Sequence, residues 1–259
     1  MTEAEKSAIL LRVNKEKQIA ALKNAGIELD IETATGTDIA NAMKWAGGLL
    51  DLCVAAYHKA TKQLTFFTKQ EWNDLSSNSR YAYITLGVRI RAYSHQWIIG
   101  KENMLNDTGG NTHQWAVQNG WNIDELKDYS NPNDGTVWDD FDGEGNTDKI
   151  VAYAKANNRS YPAAERVRAY SLSSDDPAAS KYYLPSIAQM RAMTKYRDEI
   201  DEMMTLISGS TLIKDWYWSS TEYSSGGAWY VSVSNGNIYG VNLKTVTNKV
   251  RPCLSCEAI

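Results

Sequence analysis

The dipeptide Asn235-Gly236 restricts the fold more than any other feature of the chain. A two-residue turn of this kind closes a pair of antiparallel strands and sets their register. Residues 228–234 alternate apolar and polar side chains before it, and residues 237–243 return after it. The spacing predicts that Ser234 faces Asn237, Val233 faces Ile238, Ser232 faces Tyr239, Val231 faces Gly240 and Tyr230 faces Val241. Trp229, Val231, Val233 and Ile238 then point to a core. Tyr230, Ser232, Ser234, Asn237, Tyr239 and Val241 form a contiguous outward patch.

The composition around this hairpin is that of a binding surface. From position 216 to position 243 the single charged residue is Glu222, and 20 of the 28 residues are Tyr, Ser, Gly, Asn or Trp. Tyr and Trp offer large contact area at small rotamer entropy, and Ser, Gly and Asn adapt their hydrogen bonds, as in antibody loops. The bland alternative is a polar sheet exposed at its edge. Over the whole chain, nine Trp and fifteen Tyr stand against three Phe, which favours aromatics with a polar handle.

Upstream, residues 3–24 carry Ile9, Val13, Ile19 and Leu22 at loose helical spacing, predicting a helix. A second helix is expected from Asp38, with Ile39, Met43, Ala46, Leu50, Cys53 and Tyr57 at steps of three or four. These helices define an N-terminal region, residues 1–63, suited to attachment or oligomerisation. A main domain, residues 64–259, follows. It opens with an expected helix near residues 70–75 and a strand at residues 88–92. Residues 105–147 read as long loops pinned by Trp115, Trp121 and Trp138. Tyr182-Tyr183-Leu184-Pro185-Ser186 reads as an extended segment entering a helix, with Ser186 and Gln189 spaced as a capping box. Ile187, Met190, Met193, Ile200, Met203 and Ile207 then supply a buried stripe rather than a cofactor site.

Charge and special residues narrow the function. A net charge of -4 disfavours nucleic acid and anionic membrane as partners, because both need concentrated positive charge. Residues 1–6 lack the basic and apolar regions of a secretory signal, and no stretch approaches the ~20 apolar residues that cross a bilayer, so a cytoplasmically made protein without membrane insertion is expected. Cys53, Cys253 and Cys256 cannot all pair with one another, and reduced thiols are expected, with Cys253 ending a strand. The acidic run at residues 139–146 resembles a calcium loop, but counting from Asp140 the twelfth position is Val151, where an EF-hand needs Glu. A solvated turn leading into a helix from about Asp148 is expected instead, with no metal and no cofactor. His58, His95 and His113 have no carboxylate or serine signature around them that would suggest a hydrolytic triad.

Tyr217-Trp218-Ser219-Ser220-Thr221-Glu222-Tyr223, then Ala228-Trp229, Asn235-Gly236, Lys244 and Val250-Arg251-Pro252, resembles the C-terminal signature of the lectin-fold variable proteins of diversity-generating retroelements. Tyr183-Leu184-Pro185-Ser186 and the Gly145 to Asp148 run are similar to upstream parts of that family. The resemblance covers about residues 67–253. It implies an α+β, C-type lectin fold, loop-rich with an antiparallel sheet, and a non-enzymatic protein that displays variable residues on a constant frame. It also implies that template adenines, often in Asn codons, are randomised on copying. An AAC codon so altered reaches Tyr, Ser, Gly, Thr, Val or Asn and never Trp, Lys, Glu, Gln or Met.

The ligand-binding residues expected on this basis are Tyr223, Ser224, Ser225, Gly226, Gly227, Tyr230, Ser232, Ser234, Asn237, Tyr239, Gly240, Val241, Asn242, Thr245, Val246 and Thr247. Trp218, Glu222, Trp229 and Lys244 are expected as frame. The face carries no acid beyond Glu222, so a protein ligand or host-surface receptor is favoured over a calcium-held glycan. The resemblance extends distantly to formylglycine-generating enzymes, which work through paired cysteines in a groove, yet no cysteine of this chain lies in the central body of the domain. The expected role is a receptor-binding adhesin on a phage virion, forming a homo-oligomer through its N-terminal helices.

Overall fold

The computed structural model describes residues 15–16, 30, 32–35, 50–106, 108–131, 135–212, 214–233 and 238–257, with residues 238–241 as backbone. The expected N-terminal helices lie almost wholly outside these residues, although Lys15 and Glu16 are helical. The chain divides into two compact units, Met1–Asp51 with Ile90–Gln96, and Leu52–Arg89 with Trp97–Ile259. The account below concerns the second unit and the strands that run through it.

The protein is α+β, with two five-stranded sheets among the described residues. The first contains β1 (Asp51–His58), β2 (Gln63–Phe67), β3 (Tyr83–Ala92), β4 (His95–Gly100) and β10 (Cys253–Leu254), in the order β10-β4-β3-β1-β2. The second contains β5 (Thr112–Gln114), β6 (Trp216–Ser224), β7 (Gly227–Ser232), β8 (Ile238–Leu243) and β9 (Thr247–Lys249), in the order β5-β9-β6-β7-β8. Pairing is antiparallel for β1 with β2, β4 with β10, β5 with β9, β6 with β7 and β7 with β8, and parallel for β6 with β9.

β1 replaces the end of the second expected helix, so the sheet begins before residue 64. Cys53, Val54, Ala55 and Ala56 are all buried, and a strand covered on both faces shows an apolar run instead of alternation. Such a run mimics the spacing of a buried helix, and only pairing with neighbouring strands settles it. β3 and β4 meet unusually closely. A Cβ on Gly87 would stand 1.8 Å from the Ile99 carbonyl oxygen, so that position tolerates only glycine.

The helices are α1 (Lys69–Asp74), α2 (Ser77–Arg80), α3 (Gly143–Asn157), α4 (Pro162–Arg168), α5 (Ile187–Lys195) and α6 (Arg197–Leu206). α1 matches the helix expected near residues 70–75, and β3 contains the expected strand. The capping box at α5 is present: Ser186 Oγ accepts from Gln189 N at 3.4 Å, and Gln189 Oε1 accepts from Ser186 N at 2.9 Å. The Met-rich stripe is buried but divides between α5 and α6, with a break at Tyr196.

α3 starts at Gly143, five residues before the expected Asp148, and the acidic run ahead of it is not a solvated turn. Asp140 is 8% exposed. It accepts hydrogen bonds from Thr221 Oγ1 (2.5 Å), Asn146 Nδ2 (3.1 Å) and Asp142 N (3.3 Å). Burial pushes its carboxyl above the usual carboxylate range, and the Thr221 hydroxyl opposes that shift. The bond to Thr221 joins residues far apart in the chain, which local composition does not reveal. Ile187 N donates to the same Thr221 oxygen at 3.0 Å and Ser220 N donates to Pro185 O at 2.8 Å, so β6, the start of α5 and the acidic run form one fixed block. One core cluster spans both sheets, from Ala55, Leu86 and Ile98 to Trp218, Ala228 and Val250.

Candidate ligand-binding face

The hairpin β7–β8 forms, with a register that differs from expectation. Tyr230 pairs with Tyr239 and Val231 with Ile238, each two positions nearer the turn on β8 than a two-residue Asn235-Gly236 connection allows. Residues 234–237 themselves lie outside the described residues. Further along, Ala228 pairs with Asn242 and Gly227 with Leu243. Three steps separate Tyr239 from Asn242 while two separate Ala228 from Tyr230, so β8 carries one extra residue, a bulge near Gly240 and Val241. The open end of the hairpin is held from outside: Lys244 N donates to Gly226 O, and Trp115 N and Ala116 N donate to Lys244 O.

Shared faces follow the alternation, but exposure does not. Trp229, Val231 and Val233 are buried as expected, on a strand crossed by α5. The Trp229 ring meets Trp138 edge-on at 5.6 Å, and Trp138 in turn lies under Arg191 of α5 at 4.8 Å. The other face is also covered over part of its length, because Trp218 and Ala228 belong to the core cluster that contains Trp115. Tyr230 packs against that cluster and is half-buried.

Two expected ligand-binding residues are therefore buried, Ser232 at 2% exposure and Gly227. Ser232 shares its face with Trp216 opposite and Tyr230 two positions back, and these larger side chains shield it. Tyr223, Ser224, Gly226, Tyr230, Asn242 and Thr245 are partly exposed, and Ser225, Val246 and Thr247 are exposed. Ser234 and Asn237 lie outside the described residues, and Tyr239, Gly240 and Val241 are placed by backbone register alone. Ser224, Ser225, Gly226, Asn242 and Thr245 gather at the open end of the β7–β8 hairpin, whereas Tyr230 lies toward the other end. Three steps along β7, roughly 10 Å at strand rise, separate Gly227 from Tyr230. One protein partner can span both groups.

The loop between β5 and α3 supplies both support and rim. Trp115 Nε1 donates to Ser219 O at 2.8 Å, Trp218 Nε1 to His113 O at 2.7 Å and Trp229 Nε1 to Tyr129 O at 3.1 Å. Tryptophans on both sides thus pin the loop to β6 and β7. Asn119 Nδ2 donates to Thr245 Oγ1 at 3.2 Å and Gly120 N to Ser225 O at 3.0 Å, which brings residues 117–120 to the edge of the face. Sequence reasoning missed this rim because its contacts join residues more than a hundred positions apart.

Beneath the face lies an ion pair that local sequence does not announce. Lys244 Nζ donates to Glu222 Oε1, and both side chains are fully buried. The same ammonium donates to Trp121 O at 2.6 Å and stands 4.8 Å from the centre of the Trp115 ring. Glu222 Oε2 accepts from Ile123 N at 3.3 Å, and Glu222 O accepts from Tyr129 N at 3.2 Å. Burial pushes the Glu222 carboxyl up and the Lys244 ammonium down, and their attraction opposes both shifts. The pair couples β6, the end of β8 and the long loop into one support.

Cys53 in β1 and Cys253 in β10 are buried, and Cys256 is partly exposed. Burial raises the Cys253 thiol far above its usual range, which leaves it a weak nucleophile. Among the described residues no group of three or more His, Cys, Asp or Glu is placed to hold a metal ion, and no helix is long and apolar enough to cross a membrane. No protein-family model and no curated protein matches the chain. Its fold is similar to that of a fimbrial protein from Bacteroides ovatus ATCC 8483, with a TM-score of 0.54 at 13% identity over 78% of this chain. The match covers 48% of that protein, so the chain spans about half its length.

Proposed function

We propose that this chain is a non-enzymatic, receptor-binding adhesin whose C-type lectin scaffold displays diversified residues along β6, β7, β8 and the β8–β9 turn. One observation carries the reading. Trp218, Glu222, Trp229 and Lys244, four residues that adenine randomisation of an Asn codon cannot produce, are at most 1% exposed. Ser225, Val246 and Thr247, which it can produce, are open to solvent, and Tyr223, Ser224, Tyr230, Asn242 and Thr245 are partly so. A constant frame that folds the same way under any outcome at the rim is what a diversified binder requires. Gly227 and Ser232 fall on the frame side of this division. The ligand is a protein on a host surface, no cofactor takes part, and display on a phage virion places the face outside the cell that made it. The likeness to a fimbrial protein is consistent with an adhesin.

The test is to sequence the DNA beside the gene. A near-copy of the codons for residues 217–252 next to a reverse-transcriptase gene, differing only at template adenines, supports the reading and identifies the variable residues. Differences falling on the codons for Trp218, Glu222, Trp229 or Lys244 overturn it, and absence of a copy leaves an adhesin of fixed specificity.

A further inference from the structure

Trp216 stands apart from the other described tryptophans. It is 36% exposed, while Trp115, Trp218 and Trp229 are sealed in the core. It was not among the residues expected to bind, yet the register of β6 with β7 places it opposite Ser232 and places Trp218 opposite Tyr230. All four side chains therefore share one face. The Trp216 and Tyr230 rings are 5.0 Å apart at 49°, and Tyr230 meets Trp218 edge-on at 6.0 Å. An exposed indole is thus backed by a half-buried phenol, which is in turn backed by a buried indole. Such a stack holds the outermost ring in place before any ligand arrives, and a rigid aromatic loses little entropy on binding.

The groups around Trp216 select the kind of ligand. Asp215 Oδ1 accepts from Trp216 N at 2.8 Å, and Asp215 Oδ2 lies 3.3 Å from Lys249 Nζ. Lys249 Nζ also donates to Asn111 Oδ1 at 2.7 Å, and Ser232 is buried. The Asp215 and Lys249 charges are matched to each other, and the Ser232 hydroxyl opposite Trp216 is covered. A sugar ring lying on the indole would need hydrogen-bonding groups around its rim, whereas an uncharged apolar side chain needs none.

We propose that Trp216 is an anchor of the binding face and that it receives an aliphatic or aromatic side chain of a protein ligand. The proposal rests on the reading of this face as a binding face. Buried aromatic contacts of this kind carry a disproportionate share of interface energy.

The test uses the full chain as target for selection from a displayed random-peptide library, with a panel of methyl glycosides titrated in parallel. Selected peptides are expected to contain apolar residues, to bind at least tenfold more weakly to Trp216→Ala, and to recover most of that loss with Trp216→Phe. The indole N–H resonance of Trp216, identified by its absence in Trp216→Phe, is expected to shift on adding peptide and to stay in place with the glycosides. Circular dichroism and thermal unfolding of both variants check that the fold is kept. Peptides that are lost with Tyr230→Ala but bind Trp216→Ala at full strength refute the anchor and leave the face standing. Peptides indifferent to both substitutions refute the anchor and the face together. Glycosides that shift the indole resonance overturn the protein-ligand assignment.

Discussion

Replacing Lys244 with methionine removes the cation from beneath the candidate face while keeping most of the side chain's volume. Glu222, 1% exposed, would keep only its hydrogen bond from Ile123 N, and the Trp121 carbonyl would lose its donor. Breaking a buried ion pair from one side typically costs about 3–5 kcal/mol, because the remaining charge stays buried. For a domain of this size each kcal/mol lowers Tm by roughly 2–4 °C, so a fall of about 6–20 °C is expected by calorimetry. The double variant Glu222→Leu with Lys244→Met removes both charges and should recover much of the loss, a coupling of at least about 2 kcal/mol in a double-mutant cycle.

The single variant also has a pH signature. Glu222 has an ordinary value of 4.5 and burial already pushes it up to about 7 with Lys244 in place. Without the cation it moves higher. A carboxyl raised in the folded state contributes stability that is full below its unfolded pKa and is lost as pH rises through the folded pKa. Lys244→Met should therefore gain stability relative to the native protein as pH falls from 8 toward 5. A loss below about 1 kcal/mol, additive single effects, or a variant that weakens on mild acidification would refute the idea that the pair supports the face.

Three further outcomes are expected. Trp218→Ala or Trp229→Ala should cost roughly 3–5 kcal/mol in urea unfolding, whereas Tyr230→Ala, half-buried, should cost clearly less and reduce ligand binding at least tenfold; equal costs would contradict the separation of frame from face. Gly87→Ala should separate β3 from β4, because its Cβ would meet the Ile99 backbone oxygen; a destabilisation of about 3 kcal/mol or failure to fold is expected by thermal unfolding. Gln189→Ala opens the capping box and removes the donor to Tyr183 Oη at 3.0 Å, which should cost about 1–2 kcal/mol and speed amide exchange at Ser186.

Signals that act over a few residues were legible before any coordinates. The Ser186–Gln189 box starts a helix because both hydrogen bonds close within one turn. Likewise, alternation over residues 228–233 assigned Trp229, Val231 and Val233 to one face, since side chains reverse at every step of a strand. Trp218, Glu222, Trp229 and Lys244, expected as frame by resemblance, are all buried.

What the chain's own pattern left undecided is which faces meet water and what supports them, since both depend on segments distant in sequence. Trp115 arrives from the long loop to cover the face that alternation alone would expose. Thr221 draws Asp140 out of solvent, and strand pairing turns the apolar run at residues 52–57 into β1 instead of a helix. The hairpin register differs from expectation by two positions at Tyr230–Tyr239 and by one at Ala228–Asn242, nearer Lys244, which the long loop and Glu222 hold from outside the hairpin. Local chemistry set the α5 cap and the shared faces of β7; long-range packing chose β1 over a helix, the register, the burial and the exposed Trp216, because desolvation is decided by whatever finally lies alongside.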